Sequence, residues 1–198
     1  MLDLLIPPRC AVCDAVGRPL CPGCATALPP APDLQPPDGL DACSALLAYD
    51  GPTRRLLAAL KYRNHRDAMD AVSGALALLL RGLGPGPGPA GVTWAPTSPR
   101  RRRHRGYDQA ELLARRTAAK AGLPASRLLV RLPGPAQTGR DRLHRLAGPT
   151  FRAVGHPAAT VVVMDDVWTT GATLSAAAGA LREAGATRVL GLVLAVRP

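Results

Sequence analysis

The stretch TVVVMDDVWTTGATLSAAAGAL, residues 160–181, decides the fold class that the sequence predicts. Its first apolar run, residues 160–164, is rich in β-branched side chains and predicts a strand covered on both faces. Residues 174–184 are rich in alanine, with the apolar spacing of a helix packed on a sheet. Between them lie Asp165 and Asp166, followed by small hydroxyl and glycine residues. Neither turn formation nor core packing requires two neighbouring carboxylates there, so they indicate a ligand site.

The segments outside this stretch continue the alternation of strands and helices. Apolar spacing predicts helices over residues 53–64, 66–83 and 107–122, and strands over residues 91–96 and 189–196. We therefore expect an α/β fold with a mostly parallel sheet flanked by helices, in which ligands bind beyond the carboxyl ends of the strands.

Other segments lack such spacing. Their composition predicts loops over residues 96–105 and 133–150, the second long and mobile, and a short strand or bend over residues 127–132. Cys43, in a predicted strand, is expected to be a core residue.

Length and composition limit the class of protein. A chain of 198 residues suits one main domain, and 47% hydrophobic residues with only six aromatic residues predict an aliphatic core. There is no uncharged apolar run of about 18 residues, so no membrane span is expected. The first residues contain too few apolar side chains for a secretory signal, which predicts a cytoplasmic protein.

Positive charge is concentrated in the middle of the chain. The net charge is +11, and residues 100–145 contain thirteen Lys and Arg against three Asp and Glu. The cluster RRRRHR, residues 100–105, is either a solvated surface or a patch that binds a polyanion. Polyphosphate substrates and nucleic acid both have the required charge.

Four of the five cysteines form two C-x2-C pairs near the start of the chain. Cys10 and Cys13 precede Cys21 and Cys24, and four thiolates in this pattern predict a structural zinc site. Two disulfides are the alternative, which a cytosolic setting disfavours, and iron could bind the same thiolates. Residues 29–39 are rich in proline and predict a stiff linker. The predicted domains are thus residues 1–38, the metal module with its linker, and residues 39–198.

The loop after the predicted strand has the chemistry of a phosphate site. A loop that enters a helix N-terminus presents several backbone N–H groups, and Thr169, Thr170 and Thr173 add hydroxyl donors. Gly171 and Ala172 allow the phosphate to approach the backbone closely. Carboxylates beside a phosphate require another partner, and the vicinal hydroxyls of a ribose can donate to both. The pattern therefore predicts a site for a ribose 5-phosphate.

The segment VVVMDDVWTTGATL closely resembles the phosphoribosyl pyrophosphate (PRPP) signature of type I phosphoribosyltransferases. With the two C-x2-C pairs, LKY at residues 60–62 and RRRRHRGYDQAELLAR at residues 100–115, the chain resembles the ComF family. These are phosphoribosyltransferase-like proteins associated with natural competence for DNA uptake. The resemblance implies a type I phosphoribosyltransferase fold with a small N-terminal tetracysteine zinc module.

The resemblance also implies roles for individual residues. Asp165 and Asp166 would be the catalytic-site carboxylates that hold the ribose 2′- and 3′-hydroxyls. The loop for the 5′-phosphate would be Val167, Thr169, Thr170, Gly171, Ala172 and Thr173. The pyrophosphate loop, with Mg2+ bridging pyrophosphate and ribose, would be Pro96, Thr97, Ser98, Pro99 and Arg100. The mobile basic loop over the site would contain Gln137, Arg140, Arg142 and Arg145.

Two positions depart from the family pattern. Asp108 stands where Asn is usual, and Arg145 where Asn is common. The residues themselves suggest no chemical role for Arg105, Gly106 or Tyr107.

The implied reaction is displacement of pyrophosphate from the ribose anomeric carbon by an unknown nitrogenous acceptor, through a transition state of oxocarbenium character. The alternative is a non-catalytic or PRPP-sensing protein that handles DNA in competence. Its partner would be single-stranded DNA. The basic cluster and the zinc module favour this DNA-handling alternative, whereas the scarcity of aromatic residues counts against stacking on bases. A third interpretation makes the metal module a docking surface for a partner such as a competence helicase.

Overall fold

The computed structural model describes residues 7–62, 66–133 and 148–197. The predicted mobile basic loop, with Gln137, Arg140, Arg142 and Arg145, lies outside these residues. Within the described ranges, no helix is both long enough and apolar enough to cross a membrane.

Four parallel strands form the central sheet. The strands of the described chain are β1 (Ala42–Ala48), β2 (Val92–Trp94), β3 (Leu129–Arg131), β4 (Phe151–Ala153), β5 (Thr160–Trp168) and β6 (Arg188–Val196). The sheet has the order β1–β6–β5–β2, while β3 and β4 form a separate antiparallel pair. β5 and β6 lie at the centre and read as nearly continuous aliphatic runs, as expected for strands buried on both faces. The predicted parallel sheet is thus confirmed.

Helices cover both faces of this sheet. They are α1 (Pro22–Ala27), α2 (Gly51–Tyr62), α3 (Arg66–Arg81), α4 (Pro99–Arg105), α5 (Gln109–Ala121) and α6 (Ala172–Glu183). Val162 and Met164 of β5 belong to the core shared with α2, α3 and α5. Val161 and Val163 belong to a second core with α6. Because side chains alternate along a strand, β5 supplies both cores, and the protein is an α/β fold.

Several predicted elements differ from the structure in their bounds. β5 does not end at Met164 but continues through both carboxylates to Trp168, because Asp165, Val167 and Trp168 keep their register with β6. The predicted loop over residues 96–105 contains helix α4, and α6 begins at Ala172, two residues before its predicted start. Of the two structures predicted for residues 127–132, a strand or a bend, the segment contains a strand, β3. Cys43 is a core residue of β1, as expected.

The proline-rich linker lies along the edge of the sheet. The Ala48 N–H donates to the Pro29 carbonyl at 3.0 Å, and the Ala31 N–H donates to the Leu46 carbonyl at 3.2 Å. Pro30 forms an antiparallel bridge with Leu47 of β1. The linker is therefore held by backbone hydrogen bonds rather than extended away from the sheet.

Candidate functional site

Asp165 and Asp166 lie in the carboxyl-terminal half of β5, and they differ in their surroundings. Asp166 follows Val162 and Met164 in the alternation and faces the core that contains α2. Its Oδ2 lies 2.5 Å from Nζ of Lys61, at the end of α2. The side chains of Lys61 and Asp166 are only 18% and 19% exposed, so this ion pair is largely shielded from water. The LKY segment, residues 60–62, thus contains the counter-ion of the second carboxylate.

Asp165 has a different electrostatic environment. Its Oδ1 accepts a hydrogen bond from the Asp166 N–H at 2.8 Å. Burial raises the pKa of Asp165 well above its usual range, and the negative charge of Asp166 raises it further. The hydrogen bond and the charge of Lys61 act in the opposite direction but do not offset burial. The two neighbouring carboxyls are therefore unequal: Asp166 has a cation beside it, whereas burial raises the pKa of Asp165.

The loop between β5 and α6, predicted to bind a phosphate, lies at the N-terminus of α6. Thr169 and Thr170 are exposed, and Gly171, with φ of 79°, immediately precedes the first helical residue, Ala172. The Ala172 N–H lies 3.4 Å from the Thr170 Oγ1, and Thr173 is in the first turn of this helix of 12 residues. The hydroxyls and backbone N–H groups of one short segment are thus gathered at a helix N-terminus, where an anion is favoured.

Gly171 is required for two reasons. Its positive φ favours glycine. In addition, a Cβ at this position would lie 2.9 Å from Cβ and Cγ of Pro37 and 3.3 Å from Nε1 of Trp168. Pro37 belongs to the linker, so the chain that leaves the cysteine module contacts the predicted phosphate loop.

The predicted pyrophosphate loop leads directly into α4. Pro96 is buried, and the Thr97 N–H donates to Asp108 Oδ2 at 2.9 Å. Ser98 caps α4 by accepting from the Arg101 N–H at 3.4 Å, and Pro99 and Arg100 form the first turn of that helix. The Thr97 N–H is thus already engaged by a carboxylate, while the exposed residues of the segment belong to a basic helix.

Asp108, the residue that departs from the family pattern, holds this loop against α5. Its Oδ1 caps α5 by accepting from the Ala110 N–H at 3.1 Å and the Glu111 N–H at 3.4 Å. Burial raises the pKa of Asp108, although its three backbone hydrogen bonds oppose the shift. An Asn side chain could cap the helix but would present only one acceptor oxygen. Asp at this position can accept from both Thr97 and the helix.

Gly106 and Tyr107 connect the same region to α2. Gly106 ends α4 with φ of 78°, and its N–H donates to the Arg102 carbonyl at 2.8 Å. The Tyr107 hydroxyl donates to the Leu60 carbonyl at 2.6 Å, next to Lys61. Sequence reasoning found no role for these residues because the Tyr107 contact depends on tertiary structure, although a glycine after a basic run is a recognisable helix end.

Several arginines border a small cavity beside Thr97. This cavity of about 130 Å³ is bordered by Thr97, Arg102, Asp108, Arg127 and Arg131, among others. Burial and the charge of Arg101 lower the pKa of Arg131, whereas Asp165 opposes this shift. The guanidinium of Arg131 also lies 5.9 Å from the Phe151 ring centroid. Both Asp165 and Arg101 of α4 therefore influence the pKa of Arg131. No local sequence pattern indicated this interaction.

The four N-terminal cysteines converge as predicted. The sulfur atoms of Cys10, Cys13, Cys21 and Cys24 all lie within 4.8 Å of one another, so they are placed to bind a metal ion. The Cys13 and Cys21 sulfurs are 3.8 Å apart, too far for a disulfide but close to the roughly 3.8 Å edge of a tetrahedron with Zn–S bonds of about 2.3 Å. All four cysteines are free, which rules against the disulfide alternative in this structure.

Local turns build this cluster. Asp14 has φ of 64° and its N–H donates to the Cys10 carbonyl at 2.9 Å, which turns the chain between the first two cysteines. Burial alone would raise the pKa of Cys10, but hydrogen bonds from Cys21, Cys13 and Val12 lower it to about 6. Hydrogen bonds with Cys13 and Cys21 raise the pKa of Cys24 to about 12. A bound metal cation would displace the protons that these neighbouring thiols hold.

No protein-family model matches this chain, and no match to it is found among curated proteins. The functional interpretation therefore depends on the residues and geometry described above.

Proposed function

We propose that this chain is a PRPP-binding phosphoribosyltransferase of the ComF type. The single observation that carries the proposal is the direct succession, at one end of β5 and the start of α6, of two carboxylates and a Thr-Thr-Gly-Ala-Thr loop. A ligand that bridges these groups needs a phosphate at one end and hydrogen-bond donors nearby. A ribose 5-phosphate meets both requirements.

In the proposed complex, Asp165 and Asp166 accept hydrogen bonds from ribose hydroxyls, and residues 169–173 bind the 5-phosphate. Lys61 keeps Asp166 in position, because its ammonium is only 2.5 Å from the carboxylate. Hydroxyl donors of the ribose would stabilise the charged form of Asp165 and so oppose the rise in its pKa that burial causes. Both carboxyls thus position the sugar, but only Asp166 is itself held in place by Lys61.

In the proposed reaction the bond between the anomeric carbon and a pyrophosphate oxygen breaks, and a bond to an acceptor nitrogen forms. Arg127 and Arg131 border the cavity beside Thr97 and supply positive charge for the leaving group. Mg2+, if bound with the substrate, would supply further positive charge for the leaving group. The carboxyl oxygens of Asp165 are a suitable additional ligand, whereas Asp166 is already paired with Lys61.

The metal of the cysteine module is proposed to be zinc. Four thiol groups at tetrahedral spacing form a closed set with no place left for a substrate, which is typical of a structural site. In this proposal the metal stabilises the fold of residues 7–28 and takes no part in the reaction.

The proposal is tested by incubating the protein with PRPP, Mg2+ and a panel of nitrogenous bases while following pyrophosphate release. Calorimetry with PRPP and ribose 5-phosphate accompanies it. Asp165→Asn and Asp166→Asn should each weaken binding of both ligands about ten- to a hundredfold, the value of a charge-assisted hydrogen bond. Asp70→Asn, which alters an exposed carboxylate of α3, is the matched control. Equal affinities in all four proteins would refute the sugar-binding role.

A DNA-handling function is the second candidate, and α4 favours it. Residues 100–104 of this helix are exposed and four of the five are arginines. Triple replacement of Arg101, Arg102 and Arg103 by Ala should then weaken single-stranded DNA binding. It should also flatten the dependence of log K on log salt by about 0.7 for each phosphate that the protein no longer neutralises. Unchanged affinity and slope would remove this candidate.

A further inference from the structure

A second cavity is bordered by residues of four helices, and neither of the two β5 carboxylates lines it. It has a volume of about 340 Å³, which is at the lower end of the range of small-molecule sites, about 300–1,000 Å³. The cavity opens between the end of α2, the start of α3, the end of α4 and the first turns of α5. No segment of the proposed phosphate loop lines it.

The inner part of this cavity is apolar. Leu60 and Met69 are each only 1% exposed, and Leu112 is half-buried beside them. Tyr107 adds an aromatic ring at one side. The accessible apolar surface is therefore mainly that of Leu112 and Tyr107, and a ligand ring beside the Tyr107 ring is favoured.

The rim of the cavity is positively charged after its internal pairs are taken into account. Glu111 is paired with Arg115 at 3.0 Å, and the Arg115 guanidinium lies 4.9 Å from the Trp94 ring centroid. Both oxygens of Asp108 accept backbone hydrogen bonds. Among the described residues, however, no carboxylate pairs with Arg102, whose exposed guanidinium borders the cavity. A ligand carboxylate would therefore find an available cation there.

We propose that this cavity binds a small aromatic carboxylate, with the ring against Leu112 and Tyr107 and the carboxylate on Arg102. The proposal does not depend on the PRPP assignment, since neither Asp165 nor Asp166 borders this cavity, although Arg102 and Asp108 also border the smaller cavity beside Thr97. It is nevertheless coupled to that region through two of its lining residues. Tyr107 bonds to the Leu60 carbonyl next to Lys61, and Asp108 holds the Thr97 N–H.

The test uses naphthoate as the probe, with naphthamide as its uncharged counterpart, in calorimetric titrations of the full chain. Wild-type protein should bind naphthoate and should bind naphthamide at least about tenfold more weakly. Arg102→Gln should reduce naphthoate affinity about tenfold or more, the effect of losing a charge-assisted hydrogen bond. Arg103→Gln removes the same charge from the same helix at a position that does not line the cavity, and should leave affinity unchanged.

A second variant tests the apolar part of the cavity. Leu112→Trp should fill the space and abolish naphthoate binding, while the thermal midpoint reports whether the variant is folded. If Leu112→Trp is unfolded, the comparison of Arg102→Gln with Arg103→Gln tests the proposal alone, since both arginines are exposed. The proposal is overturned if wild-type protein does not bind naphthoate, if the amide binds as tightly as the acid, or if the two arginine variants behave alike. None of these outcomes would affect the PRPP proposal.

Discussion

Replacing Lys61 by Met should destabilise the protein through Asp166. The pair joins the end of α2 to the central sheet at 2.5 Å, with about four-fifths of each side chain shielded from solvent. Removing one partner of a fully buried pair costs about 3–5 kcal/mol, and losing a hydrogen bond to a charged group costs about 1.5–3 kcal/mol. Because Asp166 keeps partial contact with water, we expect a decrease of about 2–3 kcal/mol in the free energy of unfolding.

A double-mutant cycle separates the ion pair from other effects of the substitution. Urea unfolding of wild type, Lys61→Met, Asp166→Asn and the double variant should give a coupling energy of about 1.5–3 kcal/mol. The control cycle uses Lys120→Met and Asp70→Asn, an ion pair at 3.0 Å with side chains 36% and 58% exposed. Its coupling should be about 0.2–1 kcal/mol. Additive effects of Lys61→Met and Asp166→Asn would refute the reasoning, because the two groups would then not interact in the folded protein.

Three other predictions concern single positions. Burial raises the pKa of Asp165 in the folded state. The folded protein therefore keeps a proton that the unfolded chain releases above about pH 4. As a result, the free energy of unfolding falls as the pH rises above that value. Asp165→Asn should remove that fall and raise stability at neutral pH; an unchanged pH profile in urea unfolding would contradict this. Cys21→Ser should lower the metal content measured by elemental analysis from about one zinc per chain towards none. If carefully prepared wild type contains no metal, the site is misassigned. Gly171→Ala should lower the free energy of unfolding by about 1–2 kcal/mol because φ is 79°, whereas Gly179→Ala, in open space within α6, should raise it by about 0.5–1 kcal/mol. Equal effects would exclude backbone strain at Gly171.

The sheet and its candidate site could be predicted where local pattern and chemistry coincide. The β-branched run of β5 and the alanine-rich face of α6 each indicate their structure within about ten residues. The end of β5 could not be located this way, because carboxylates are poor strand formers and are normally found in turns. Asp165 remains in the strand because β6 runs alongside it, with Val193 as its partner in register.

Helix α4 was missed because it has no apolar face. Apolar periodicity is the main signal for a helix, and a run of arginines on an exposed helix provides none. The capping residues were nevertheless present in the sequence: Ser98 precedes Pro99, and Gly106 follows Arg105. Serine followed by proline is typical of a helix start and glycine of a helix end, so these signals could have found it.

Contacts between distant segments were beyond the reach of any local pattern. Lys61 and Asp166 are separated by more than half the chain, and Tyr107 reaches back to Leu60. Both contacts depend on the packing of α2 against the sheet and α5, which sequence spacing does not specify. The motif resemblance placed these residues in the same family pattern without indicating which of them would meet.

The linker shows how composition can suggest one role and structure another. Prolines suit an extended spacer, but β1 is an edge strand, and an uncovered edge exposes a row of backbone groups that can pair with another chain. Residues 29–31 cover part of that edge through bonds to Leu46 and Ala48. Proline has no N–H, so Pro29 and Pro30 pair with β1 without offering new donors on their outer side. The same chain then continues to Pro37 against Gly171, so one proline-rich segment both protects the sheet edge and packs against the loop predicted to bind phosphate.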